Sequence, residues 1–158
     1  YNNTKFTLDV SNFDTKNVTN MESMFRDAGY SNPNFTLDVS GFDTSKVTNM
    51  NSMFADTGYN SQTLNLDLSS FDTSNVTNMS NMFSFAGRNS QTLNLDLSNF
   101  DTSNVTDMSA MFADCNSLFT SVRNPANITF SESPNCLTLS RILALSSPSP
   151  INNNLELE

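Results

Sequence analysis

Residues 64–83 read LNLDLSSFDTSNVTNMSNMF, and most of that word occurs four times in the chain. Residues 8–25 give LDVSNFDTKNVTNMESMF, 37–54 LDVSGFDTSKVTNMNSMF, 66–83 LDLSSFDTSNVTNMSNMF and 95–112 LDLSNFDTSNVTDMSAMF. Phe13, Phe42, Phe71 and Phe100 are spaced by 29, and so are Asp14, Asp43, Asp72 and Asp101. A period of this length marks stacked supersecondary units, each unable to bury its apolar face without a neighbour. The copies run 1–29, 30–58, 59–87 and 88–116, with all eight Met inside them.

Two periodicities alternate within a copy. Leu64, Leu66 and Leu68 take alternate positions around Asn65 and Asp67, the pattern of a short half-buried strand. Val76, Met79, Met82 and Phe83 then recur at i, i+3, i+6 and i+7, which predicts a short helix. Asp72, Thr73 and Ser74 stand where N-caps belong, and Gly29, Gly58 and Gly87 where a left-handed C-cap belongs, with Asn116 in the fourth copy. The expected fold class is therefore an α/β repeat, a β/α solenoid of four 29-residue coils with core-filling Met and Phe.

Composition agrees with a chain that folds only through regular placement of few apolar residues. Ser, Thr and Asn make up 66 of 158 residues, and Leu, Ile, Val and Phe only 38. A net charge of -9 without His removes the basic footprint of a nucleic-acid binder. No apolar run reaches the roughly 18 residues of a transmembrane helix. Two Cys are too few for a disulfide scaffold or a Cys-rich zinc site.

The words LDLSNFDTSNVTNMSNMF and MFADCNSL resemble the BspA-like leucine-rich-repeat surface proteins over about residues 1–122. The resemblance implies a leucine-rich-repeat-like fold on secreted or surface-anchored proteins with adhesion or host-contact roles. Two departures stand out. The period is longer by a few residues, and the turn Cys of that family survives only as Cys115, with Ala28, Thr57 and Ala86 in the other copies.

At the ends the pattern changes. Tyr1 aligns with Tyr30 and Tyr59, which leaves the first coil uncapped and points to further repeats, a cap or another subunit upstream. Past 116 the register fades: Val122 falls where Leu93 did, while Asn124, Pro125 and Ala126 replace the strand's Leu-Asp-Leu. Residues 117–145 read as a C-terminal cap and 146–158 as a linker or tail. Cys115 and Cys136 both lie at the end of the array, where a disulfide would fasten the cap with roughly 3 kcal/mol of loop entropy. Two buried thiols are the alternative.

Candidate sites are few. Asp9, Asp38, Asp67 and Asp96 form an outward column of like charges that needs neutralising. Bound Ca²⁺ is one way; hydrogen bonds from neighbouring Ser, Thr and backbone N–H groups are the other. Asp14, Asp43, Asp72 and Asp101 suit helix caps or Asx turns. Outward Thr7, Thr36, Asn65 and Asn94 make a polar strip for a glycan or protein. Glycosylation sequons stand at Asn2, Asn17, Asn34, Asn75, Asn78, Asn104 and Asn127. Glycosidase chemistry needs two carboxyls in unlike environments, which a ladder of equivalent Asp does not offer, so no enzyme is expected and no resident cofactor. The expected function is an extracellular or cell-surface module for adhesion or partner binding, with a head-to-tail filament or sheath subunit as the alternative.

Overall fold

A computed structural model of the chain describes residues 5–115 and 119–123. Five short strands follow in chain order: β1 (Phe6–Leu8), β2 (Phe35–Leu37), β3 (Thr63–Leu66), β4 (Thr92–Asp96) and β5 (Phe119–Arg123). They pair in parallel as two sheets, β1–β2 and β3–β4–β5. Phe6 pairs with Phe35 and Leu64 with Leu93, so one 29-residue period is one step to the next coil. Asn20, Asn49, Asn78 and Asp107 form a second line of parallel bridges on the same step.

No helix occurs among the described residues, which overturns the α/β solenoid with a helix in every coil. Residues 21–28, 50–57, 79–86 and 108–114 form runs of tight turns instead. In the first coil Met24 N donates to Met21 O at 3.2 Å and Ala28 N to Phe25 O at 3.0 Å. Arg26 N likewise stays local, donating to Ser23 O at 3.1 Å, while the alternate amides reach outward: Met21 N, Ser23 N, Phe25 N and Asp27 N donate to Asn49, Asn51, Met53 and Ala55 O of the next coil at 2.9 to 3.0 Å. A helix would have spent these amides on carbonyls four residues back. Left-handed φ recurs at Ser23, Ser52, Asn81 and Ala110, and again at Asp27, Asp56, Phe85 and Asp114, between 51° and 60°. Such residues interrupt a right-handed helix. Tight turns repeat their inward positions every three or four residues, so the apolar spacing that predicts a helix fits this ribbon equally well.

The expected cap residues keep their places in altered roles. Gly29, Gly58 and Gly87 are left-handed, with φ of 66°, 57° and 55°, but they close turns. A Cβ on Gly29 would meet the Phe35 ring at 2.1 Å. Asp72 accepts from Ser74 N at 3.0 Å, an Asx turn. Thr73 Oγ1 crosses to the next coil, donating to Asp101 O at 2.9 Å and accepting from Asp101 N at 2.8 Å. Thr15 and Thr44 do the same to Asp43 and Asp72.

Between strand wall and turn ribbon runs one core. Met21, Met50, Met53, Met79 and Met82 are buried, as are Leu64, Leu66, Leu93 and Leu95. Phe25, Phe54, Phe83 and Phe112 stack ring on ring, with centroids 5.4 to 5.6 Å apart and planes within 14°. The register of β5 differs from the 29-residue offset. Phe119 pairs with Leu93 and, after a bulge, Val122 pairs with Leu95 and Arg123 with Asp96, so Val122 does not sit beside Leu93. The expected cap at 117–145 lies outside the described residues apart from β5, as does the tail at 146–158.

Truncating Phe54, fully buried between Phe25 and Phe83, should cost about 3–5 kcal/mol in the Phe54→Ala variant by denaturant unfolding. Thr44→Val keeps the shape but strands the Asp72 N–H and C=O. It should cost about 1–3 kcal/mol by the same measurement.

Candidate functional site

The strand wall carries the outward residues singled out above. Thr7, Thr36 and Asn65 are exposed and Asn94 half-buried. They pair within halves of the stack: Thr7 Oγ1 with Thr36 Oγ1 at 2.9 Å, and Asn94 Nδ2 donating to Asn65 Oδ1. Thr63 and Thr92 hydroxyls join at 3.0 Å. Where the two sheets meet, β1, β2 and β3 border a groove of about 730 Å³. The first two coils share FTLDV there and the next two LNLDL, so the break in the sheet coincides with a change from Phe to Leu, Thr to Asn and Val to Leu, while the Leu and Asp columns run on unchanged.

The column of Asp9, Asp38, Asp67 and Asp96 is exposed, and each carboxylate serves its own turn. Asp9 Oδ1 accepts from Ser11 Oγ at 2.7 Å and Ser11 N at 3.0 Å; Asp38 accepts from Ser40 Oγ at 2.6 Å and Ser40 N at 3.0 Å. Ser69 N and Ser98 N reach Asp67 and Asp96 at 3.0 Å. The Ser hydroxyl first, then its N–H, holds Asp9, Asp38 and Asp67 below the ordinary carboxylate range, with repulsion along the column a smaller, opposing effect at Asp38 and Asp67. Asp43 and Asp72 are lowered in the same way by Ser45 and Ser74. Asp101 and Asp107 are lowered first by the N–H of Ser103 and Ser109. Among the described residues no group of three or more His, Cys, Asp or Glu could hold a metal ion.

One carboxyl departs in the opposite sense. Burial, then the neighbouring charge of Asp27, pushes Asp56 up, against Arg26 and Arg88. Beside it Tyr30 and Tyr59 stack at 4.5 Å, and the Arg88 guanidinium lies 5.1 Å from the Phe85 centroid.

Of the sequons, Asn17, Asn34, Asn75 and Asn104 are exposed and Asn78 is half-buried; Asn2 and Asn127 lie outside the described residues. Asn75 sits in a turn, not a helix, and Nδ2 of Asn75 and Asn104 donates to Ser45 O at 2.8 Å and Ser74 O at 2.7 Å in the preceding coil. Cys115 is buried, its Sγ 2.7 Å from Phe83 O, where Thr57 Oγ1 donates to Phe25 O in the equivalent place; Cys136 lies outside the described residues. The coil-bridging role of Thr15, Thr44 and Thr73 went unread in the sequence, although the recurrence of Thr in every FDT word was a visible signal.

These features define a repeat protein of parallel-stacked 29-residue coils, laced by Asx turns and by hydrogen bonds that step from coil to coil. The chain belongs to the family described as Mycoplasma protein of unknown function, DUF285, which matches residues 1–59 and 30–132. Neither the curated proteins nor the solved structures give a match. No helix among the described residues is long and apolar enough to cross a membrane.

Carboxylates held low in the fold contribute stability that is present above the unfolded-state value of about 3.9 and lost as pH falls through their folded values. Asp56, raised, works in the opposite sense, but one group stands against seven. Thermal melts should therefore hold near neutral pH and drop below about pH 4. Excess EDTA or added Ca²⁺ at pH 7 should leave the melting temperature unchanged.

Proposed function

We propose that the chain is a non-enzymatic module of an extracellular or cell-surface protein that binds its partner through the strand wall. The observation that carries this reading is the set of exposed columns repeating once per coil. Thr7 and Thr36, Asn65 and Asn94, and the four Asp beside them form a surface whose chemistry recurs at a fixed step. Strand positions hold these groups rigidly, which lowers the entropy lost on binding. The resemblance to BspA-like surface proteins supports the same reading, through the FDTSNVTNMS word. Equivalence among the column carboxylates speaks against an acid–base pair.

A second reading, a structural subunit joined end to end, is favoured by the first coil. Phe6, Phe13 and Met24 are 38%, 52% and 36% exposed, whereas Phe35, Phe42 and Met53, one coil on, are 2%, 3% and 0%. Apolar surface of that kind is what another coil covers elsewhere in the stack. Sedimentation over a range of concentrations tests it, because a chain that stays monomeric throughout dismisses assembly through this face.

For the binding reading, beads coated with the full chain should be retained on host-cell or matrix-coated surfaces. Absence of retention on every surface tried would overturn it.

A further inference from the structure

We infer that the groove between the two sheets is the binding site and that it takes a neutral oligosaccharide. This rests on the binding reading above and adds the ligand class.

The volume, about 730 Å³, lies within the roughly 300–1,000 Å³ of ligand pockets. Its lining combines Pro33, Phe35 and Leu37 with polar side chains from three coils. Within that lining stand groups left over after the protein's own hydrogen bonds are counted. Asp38 commits Oδ1 to Ser40, and Asn65 commits Oδ1 to Asn94. Among the described residues the other carboxylate oxygen of Asp38, Nδ2 of Asn65, the Gln62 side-chain amide and the Lys5 ammonium make no hydrogen bond or ion pair within the chain. Acceptor and donor groups thus stand together with apolar ones in the lining of one groove.

A pyranose presents the matching pattern, with hydroxyls that both donate and accept along its edge and a C–H face on its side. Charge selects among sugars. Asp9, Asp38 and Asp67 run beside the groove and the whole chain carries -9, which repels polyanionic glycans. An extended peptide added as a strand fits less well. Gln62 N already donates to Pro33 O at 2.8 Å across the mouth, and Met50, Ser52, Phe54 and Asp56 N bind the next coil at 2.8 to 2.9 Å, so β2 and β3 cannot part to admit one.

The test is a glycan array probed with the full chain, followed by titration of the strongest neutral hit against wild type, Gln62→Ala and Asn65→Ala. Both residues are exposed; Gln62→Ala should melt as wild type does, and Asn65→Ala, which loses only the exposed bond from Asn94, should melt slightly below it while staying folded. A neutral oligosaccharide should bind, each substitution should weaken it at least tenfold, and the free sugar should release coated beads from their target surface. Three outcomes overturn the inference: no neutral glycan bound, only acidic glycans bound, or equal binding by both variants. Retention of beads that persists with free sugar or with either variant also overturns it while leaving the binding reading intact, a peptide or protein partner then being the occupant.

Discussion

Alternate amides of the turn ribbon spend their hydrogen bonds between coils, and the stacking of the coils depends on them. Each of the first three coils of the ribbon sends four amides to carbonyls 28 residues further along, from Met21 N to Asn49 O in the first coil to Phe85 N to Ala113 O in the third. An isolated coil would leave those groups to water and its Phe and Met uncovered. Stability is therefore shared between neighbours, as expected where nearest-neighbour interfaces carry the folding energy. The Phe25, Phe54, Phe83 and Phe112 stack runs through the same interfaces, so backbone and core demand the same one-coil step.

That shared step explains which features the sequence made legible. The period of 29 names each residue's neighbour directly, and the pairings of Phe6 with Phe35 and Leu64 with Leu93 follow it. Alternation at Leu64, Asn65 and Leu66 separates core from surface. The turn ribbon was not legible, because Val76, Met79, Met82 and Phe83 specify only which side is buried. What distinguishes ribbon from helix is the left-handed backbone at Asn81 and Phe85; Asn hints at it only weakly and Phe not at all. In equivalent positions the chain uses Ser, Asn and Ala, or Asp and Phe, which are poor signals beside Gly. The bulge that shifts Val122 to Leu95 was hidden for a related reason, since self-alignment has no means of registering a strand that departs from the period.

Columns of identical residues create a problem that stacking alone cannot solve. Apolar side chains gain from lying over their own copies, whereas carboxylates repel theirs. The chain answers by placing a Ser two residues after most of its column Asp, so that each charge is held within its own turn by a hydroxyl and an amide. These local bonds outweigh the repulsion at Asp38 and Asp67, both of which are lowered in spite of the carboxylate in the preceding coil. Cation binding is unnecessary to this balance. Thr15, Thr44 and Thr73 provide the complementary device: their buried hydroxyls satisfy the backbone of the following Asp and tie one coil to the next.

A strictly periodic wall offers every coil the same contacts, and a ligand on it would have no preferred position. Specific position has to come from where the copies differ. The largest such difference on the strand wall falls between the second and third coils, where FTLDV gives way to LNLDL. Thr pairs with Thr on one side and Asn with Asn on the other, and the sheet stops between them. Elsewhere the fold consumes its polar groups in ladders. At this junction the pairing of Thr36 with Thr7 and that of Asn65 with Asn94 do not join, and both side chains line the groove. The interruption therefore converts a structural ladder into a localised set of donors and acceptors, and it does so without disturbing the turn ribbon behind it.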